Sequence, residues 1–299
     1  MLIDKLIHRI RAFRGSFISI AYRPQNAAQV DLPSFCEKSG NDGRIGIIIQ
    51  GGIWEDYNFT IETVRLYKKN YPQAIIIVST WSDTPDAQLA GIKNQNVELV
   101  ISEKPQKSIS GNCNLQIIST YNAIVLAKSL GCEYVCKTRT DQRMYATDVF
   151  CFLTHLQDIF PLPEGITSLN RRIVAVGSNT YRDRVYDIND MWLFGHIDDM
   201  LQYWCCDPSL IWDKDCTLTQ SQRISEAYIC SNFLKCIGHN LLWTVNDSLE
   251  VMSKYYIIID KQSIDLFSIK RINEYMNRQY VASNGLIEVG FKDWINLLK

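Results

Sequence analysis

Apolar residues fall along this chain in two alternating kinds of run. Arg44-Ile-Gly-Ile-Ile-Ile-Gln50 is β-branched nearly throughout and ends in Gly51-Gly52. That is the pattern of a strand buried on both faces, followed by a loop where backbone approaches something closely. Helical spacing takes over from about Asn58 to Lys69. Ala74 to Ser79 predicts a second buried strand, ending in the polar and aromatic group Thr80-Trp81-Ser82-Asp83, and Val97 to Ile101 predicts a third. Between about Asn112 and Leu130, Leu115, Ile118 and Val125 recur at three- and four-residue spacing, a long helix closed by Gly131. Glu133-Tyr-Val-Cys-Lys137 predicts the fourth strand.

Strands alternating with helices, and continuous apolar runs in the strands, predict an α/β fold built on an open, mainly parallel twisted sheet flanked by helices. Ligands of such sheets sit beyond the carboxyl ends of the strands. The rule directs attention to Gln50 to Gly52, Thr80 to Asp83 and Thr138 to Arg143 together. The second half is less regular. Ile173 to Val176, Met191 to Phe194 and Tyr255 to Ile259 predict strands, and His196 to Trp204 and Ser221 to Ile237 predict helices. Pro161-Leu-Pro163-Glu-Gly165 is the candidate joint between a donor-binding half, about 44–160, and an acceptor-binding half, about 166–299, of one domain spanning 26–299.

Lys and Arg total 31 against 32 for Asp and Glu, which leaves no global pull toward nucleic acid. Any charged partner must be held locally. The ten cysteines show no paired CxxC knuckles, so reduced and mostly buried thiols are expected rather than a disulfide framework. His8, His155, His196 and His239 lack zinc-ligand spacing. There is no GxxxxGK[ST] loop and no GxGxxG turn, so a nucleotide would have to be bound in some other way. No apolar run approaches the ~20 residues that span a bilayer. Residues 1–25 carry Lys5, Arg9, Arg11, Arg14 and Arg23 against the single acid Asp4, with Leu2, Leu6, Ile10 and Phe13 at helical spacing. This fits either a basic helix on an anionic membrane surface or a solvated first helix docked on the domain.

The chemistry concentrates in Lys137-Thr138-Arg139-Thr140-Asp141-Gln142-Arg143, where three cations and one carboxylate alternate with uncharged residues as a buried strand leaves the sheet. A carboxylate there would hold a divalent cation, Mn2+ or Mg2+, and the cations would neutralise a diphosphate leaving group. A structural salt-bridge cluster is the competing reading. Asp190, with Asp183 and Asp187 upstream, stands before an apolar run and is a candidate general base, or else orders a turn. Thr219-Gln-Ser-Gln222 fits a capping box opening a helix, on which Glu226 falls on the face of Ile229, Phe233 and Ile237. An inward carboxylate is paired or functional, and function as base or acceptor ligand is the preferred reading. Trp81 and Trp192 suit stacking on a sugar or base, or the core.

Tyr121-Asn122-Ala123, Ala127, Gly131, Glu133-Tyr134-Val135 and Asp141 resemble the helix, glycine turn, strand and acidic motif before the metal site of GT-A glycosyltransferases. Gln50-Gly51-Gly52, Tyr71-Pro72, Ser79-Thr80-Trp81, Asn112 through Gln116, Lys137 to Gln142 and Asp190-Met-Trp-Leu-Phe-Gly195 together resemble the WavE-type lipopolysaccharide-synthesis family over roughly 44–240. The resemblance implies a bacterial enzyme that builds the sugar part of a surface glycolipid, working in the cytoplasm or peripherally on the inner face of the inner membrane. It implies a nucleotide-sugar donor, lined by Gln50, Gly51, Gly52, Thr80, Trp81, Asp83 and Asn122, with Lys137, Arg139, Asp141 and Arg143 at the diphosphate. The acceptor would be a glycolipid or oligosaccharide served by Asp190 or Glu226. The GT-A metal motif has two acids flanking one residue, whereas here Arg139 takes the first position. Either Asp141 alone holds the metal with the donor diphosphate, or the cations replace it. A nucleotide-binding scaffold without transferase activity is the alternative.

Overall fold

The computed structural model describes residues 22–34, 44–271 and 286–299, and the backbone of 12, 13, 16 and 17. Most of the basic amino-terminal segment thus lies outside the described residues; Ala12–Phe13 and Ser16–Phe17 form a short antiparallel pair. Arg23 donates from Nε and Nη2 to Asp265 at 2.8 and 2.5 Å.

The β-branched run forms β1 (Ile45–Gln50), buried at every position as a strand covered on both faces must be. Helix α1 (Phe59–Asn70) leads to β2 (Ile75–Trp81), and α2 (Asp86–Lys93) to β3 (Glu98–Ser102). Helix α3 (Cys113–Ser129) packs across β1, β2 and β3 and returns the chain to β4 (Tyr134–Arg139). Its close approach depends on Gly46, where a Cβ would stand 3.2 Å from Cys132 Sγ and 3.3 Å from Ala127 Cβ. After β5 (Gln142–Met144) and α4 (Val149–Ile159) come β6 (Ile173–Val176), β7 (Leu193–His196) and α5 (Ile197–Trp204). Helices α6 (Ser225–Cys236) and α7 (Val245–Tyr255), strands β8 (Tyr256–Ile259) and β9 (Leu266–Ser268), and α8 (Phe291–Leu297) complete the chain.

One seven-stranded sheet in the order β8-β6-β7-β4-β1-β2-β3 runs through the molecule. Strands from both sides of the Pro161 to Gly165 segment belong to it. Neighbours are parallel except at β7, which is antiparallel to both β4 and β6. That single reversal positions the site. Because β7 runs backwards, it begins where β4 ends, and the segment 187–192 before it arrives at the same sheet edge as Gln50, Trp81 and Arg139. A second sheet pairs β5 with β9, Arg143 opposite Phe267, and Ile269 N donates to Asp141 O at 3.0 Å.

Arg143, expected among the donor-facing cations, is instead buried in this joint. Its Nε donates to Thr63 Oγ1 at 2.9 Å, Nη2 to Phe59 O at 2.9 Å, and Nη1 to Gln25 O at 2.7 Å and the Tyr145 hydroxyl at 3.0 Å. The guanidinium lies 4.2 Å from the Phe59 ring centroid. A strand residue faces one side of its strand or the other, and β5 turns this one toward α1. Arg143→Met leaves Gln25 O without its donor, while Thr63 Oγ1 and Phe59 O still pair with each other and the Tyr145 hydroxyl with Pro24 O, so the loss is roughly 1.5–3 kcal/mol. The melting temperature should fall by about 5–10 °C, read by circular dichroism.

The nine described cysteines are all free thiols, with Cys113, Cys132, Cys136, Cys206 and Cys230 buried, as the sequence led us to expect. No helix among the described residues is long and apolar enough to cross a membrane.

Candidate active site

Strand β4 runs two residues past the predicted end at Lys137, and the extra length changes what that lysine does. Lys137 is paired with Ile48 on one side and Leu193 on the other, fully buried inside the sheet rather than beyond it. Its Nζ donates to the backbone oxygen of Asp190 at 2.6 Å and to Gln116 Oε1 at 3.3 Å, and lies 5.0 Å from the Trp204 ring centroid. Lys137 is therefore a support beneath the site and not a ligand for the diphosphate. Burial pulls its pKa down to about 7, partly offset by the Asp190 charge.

Gln116 completes the support. Its Oε1 accepts from the lysine, which leaves its amide nitrogen facing outward, and Nε2 donates to Asp190 Oδ2 at 3.0 Å. The turn that delivers Asp190 is fixed from the other side by Asn189. The Asn189 Oδ1 accepts from Met191 N at 2.8 Å and Trp192 N at 3.0 Å, while its own N–H donates to Thr180 Oγ1 at 3.0 Å. Trp192 is core: it is fully buried and its indole N–H meets Met144 Sδ at 3.3 Å.

Two further carboxylates face Asp190. Glu226, in the first turn of α6, is pushed up to about 8 by burial, with the charges of Asp190 and Asp187 adding to it. Asp187 is pushed up to about 7 by burial, against the pull of Arg184 at 3.4 Å. Arg271 acts on Glu226 in the opposite sense. The capping box does form at Thr219 and Gln222, but it closes a short 3-10 turn, and the chain is extended at Arg223 and Ile224 before α6 starts at Ser225. Glu226 therefore sits at the helix start, half-buried at the site.

On the other flank, Thr140 ties the end of β4 to the glycine loop. Thr140 N donates to Gln50 O at 3.1 Å and its hydroxyl to Gly52 O at 2.7 Å. Gly51 has φ 129°, and a Cβ there would stand 2.9 Å from Thr140 Oγ1, so only glycine lets this loop lie against β4. Arg139 and Asp141 form a two-pronged ion pair, Nε to Oδ1 at 2.9 Å and Nη2 to Oδ2 at 3.1 Å. At the β2 end, Trp81 is buried, the Thr80 hydroxyl meets that of Thr84 at 2.9 Å, and Asp83 pairs with Lys104 at 2.7 Å in the open. Asn122 donates from Nδ2 to Ser102 Oγ at 3.0 Å, tying α3 to the end of β3.

The divalent cation that the sequence raised at Asp141 does not fit these residues. Both Asp141 oxygens are engaged by one guanidinium, and no group of three or more His, Cys, Asp or Glu side chains suited to a metal ion occurs among the described residues. Gln116, Asn189 and Arg271 were not singled out individually in the sequence. Gln116 stood only inside a longer resembling stretch, and Arg271 reaches the site through the three-residue pairing of β9 with β5, which leaves no periodic signal.

A mainly parallel α/β sheet with polar and charged groups gathered beyond its carboxyl edge defines the class. The chain belongs to the WavE lipopolysaccharide synthesis family, whose model matches residues 45–257. No curated protein sequence matches the chain. Among solved structures it is similar to a glycosyltransferase involved in the glycosylation of the major capsid of PBCV-1, at 11% identity and TM-score 0.36, covering 73% of this chain and 81% of that one. It is also similar to the mannosyltransferase PcManGT from Pyrobaculum calidifontis in complex with GDP-Man and Mn2+, at 11% identity and TM-score 0.36, covering 56% and 48%. A cytidylyltransferase from Leptospira borgpetersenii serovar Hardjo-bovis matches at 13% identity and TM-score 0.41, covering 85% and 93%.

Proposed function

We propose that this chain is a nucleotide-sugar-dependent glycosyltransferase that extends a lipopolysaccharide or another surface glycan. The observation that carries the reading is the juxtaposition at one sheet edge of a braced carboxylate, Asp190, and a cationic strand end, Arg139. Sugar transfer with inversion uses these two functions together. A base takes the proton of the acceptor hydroxyl so that its oxygen attacks the anomeric carbon, and a cation meets the charge on the departing diphosphate. The donor would lie over Gln50 to Gly52 and the β2 end, with the acceptor entering beside Asp190 and Glu226. Such an enzyme would work in the cytoplasm, peripherally at the membrane face where lipid-borne acceptors are displayed.

Thermal-shift screening against UDP, GDP, CMP and CDP sugars tests the proposal. One donor class should raise the melting temperature by about 5 °C at a hundredfold excess over its Kd, and the same donor should slowly release free nucleotide in water. If no nucleotide sugar shifts the protein or is turned over, the transferase reading is wrong and a scaffold role takes its place.

A further inference from the structure

The turn that ends β4 carries an ion pair whose two partners differ in what they show to solvent. The side chain of Asp141 is 7% exposed and that of Arg139 25%, so the outward part of the pair is the cation. The fork to both carboxylate oxygens uses two of the five guanidinium N–H donors. The backbone beneath is pinned on both sides. Thr140 N is held by Gln50 O, Thr140 O accepts from Thr60 Oγ1 at 3.0 Å, and Asp141 O accepts from Ile269 N. The guanidinium is consequently fixed at the carboxyl edge of the sheet, on a backbone that Thr140 ties to the glycine loop.

A divalent cation on Asp141 would have to share or displace this fork and, either way, stand within a few ångströms of the guanidinium charge. Such cations also ask for several oxygen ligands, most of which the protein would have to leave to water and phosphate. We propose that Arg139, aimed by Asp141, takes the donor diphosphate in place of a divalent cation, so that transfer by this chain runs without added metal. This inference rests on the glycosyltransferase reading above. When the bond from the anomeric carbon to the phosphate oxygen breaks, its electron pair stays on that oxygen, and the guanidinium meets the new charge through charge-assisted hydrogen bonds. The acceptor proton goes to Asp190. Asp141 is then a positioning residue, touching Arg139 and not the phosphate.

Isothermal titration with UDP, GDP and CDP, each in EDTA and in Mn2+, tests this together with donor turnover in the same two media. The diphosphate that binds should do so in EDTA, with a Kd that Mn2+ changes by less than about threefold, and turnover should persist in EDTA. The double variant Arg139→Gln with Asp141→Asn removes both charges without stranding a buried carboxylate, and its melting curve checks the fold. It should weaken diphosphate binding by about 30-fold or more, the scale of hydrogen bonds to a charged group, and the matching monophosphate less. Asp141→Asn alone should weaken it by a smaller factor that Mn2+ does not restore. Binding or turnover that appears only with Mn2+ would overturn the proposal while leaving the sugar-transferase reading in place, as would parent-like diphosphate affinity in the double variant. If no nucleotide diphosphate binds and no nucleotide sugar is turned over in either medium, both fall.

Discussion

Asp190→Asn is expected to lower the transfer rate by roughly 10²–10⁴-fold, the usual contribution of a positioned general base, with donor KM little changed and the melting temperature within about 2 °C of the parent. Asparagine keeps the shape and still accepts from Gln116 Nε2, and the backbone oxygen still accepts from Lys137, so the turn keeps its supports. The variant removes the basicity and the negative charge, so the Lys137 and Glu226 pKa values both fall. Glu226 is the rival base, and pH separates the two. Its carboxyl is raised to about 8 by burial and by the neighbouring Asp190 and Asp187 charges, so below that pH it mostly carries a proton. A rate depending on ionised Glu226 would climb about tenfold per pH unit from pH 6 toward 8. A steep rise with pH that survives in Asp190→Asn, moved to lower pH by loss of the Asp190 charge, and disappears in Glu226→Gln would transfer the role to Glu226.

Glu226 also illustrates where sequence reasoning lost the geometry. The Thr219 and Gln222 pattern closes a turn in the structure as a capping box should, but nothing local distinguishes a box that opens an α-helix from one that opens a 3-10 turn. The four-residue difference moves Glu226 from the second turn of the predicted helix to the first turn of α6. The long buried runs were legible because a strand covered on both faces must be apolar throughout: β1, β2 and β6 lie where the pattern put them, and the helix expected from about Asn112 to Leu130 is α3. Short elements were not. Helices α4 and α7 and the β5–β9 pair depend on partners distant in sequence, and three-residue strands carry too few positions to show a period. The charged run at the end of β4 was found by composition alone, but its division of labour was not readable. Lys137 and Arg139 lie two apart in one strand, yet one is inside the sheet and the other at its rim, and Arg143 faces α1 from β5. Charge alternation identified the place; only the strand's true length showed which cation stands at the rim.

Lys137→Met should reduce kcat by about tenfold or more while leaving donor KM within about twofold, because the lysine acts on Asp190 through Gln116 and touches no substrate. Methionine fills the space beside Trp204 but cannot donate. Gln116 then loses the partner that fixes its Oε1 inward, its amide can turn over, and an oxygen facing Asp190 Oδ2 would replace a donor by a repelling acceptor. Gln116→Leu should reproduce the kinetic loss. Stability gives a second readout that the glutamine variant lacks. The folded-state pKa of Lys137 lies near 7, below its ordinary value of 10.5, so between those limits the unfolded chain binds more protons than the native one. By linkage this group makes stability rise as pH increases through that window, by about 1 kcal/mol per unit, and removes that gain as pH falls toward 7. Lys137→Met abolishes the term. Its destabilisation relative to the parent should therefore be larger at pH 9 than at pH 7, measured by urea unfolding at both. Gln116→Leu should show the kinetic loss without that dependence. A Lys137→Met enzyme with parent kcat would mean that the lysine does not orient Asp190, and a stability difference that does not change with pH would mean that it keeps its proton in the fold.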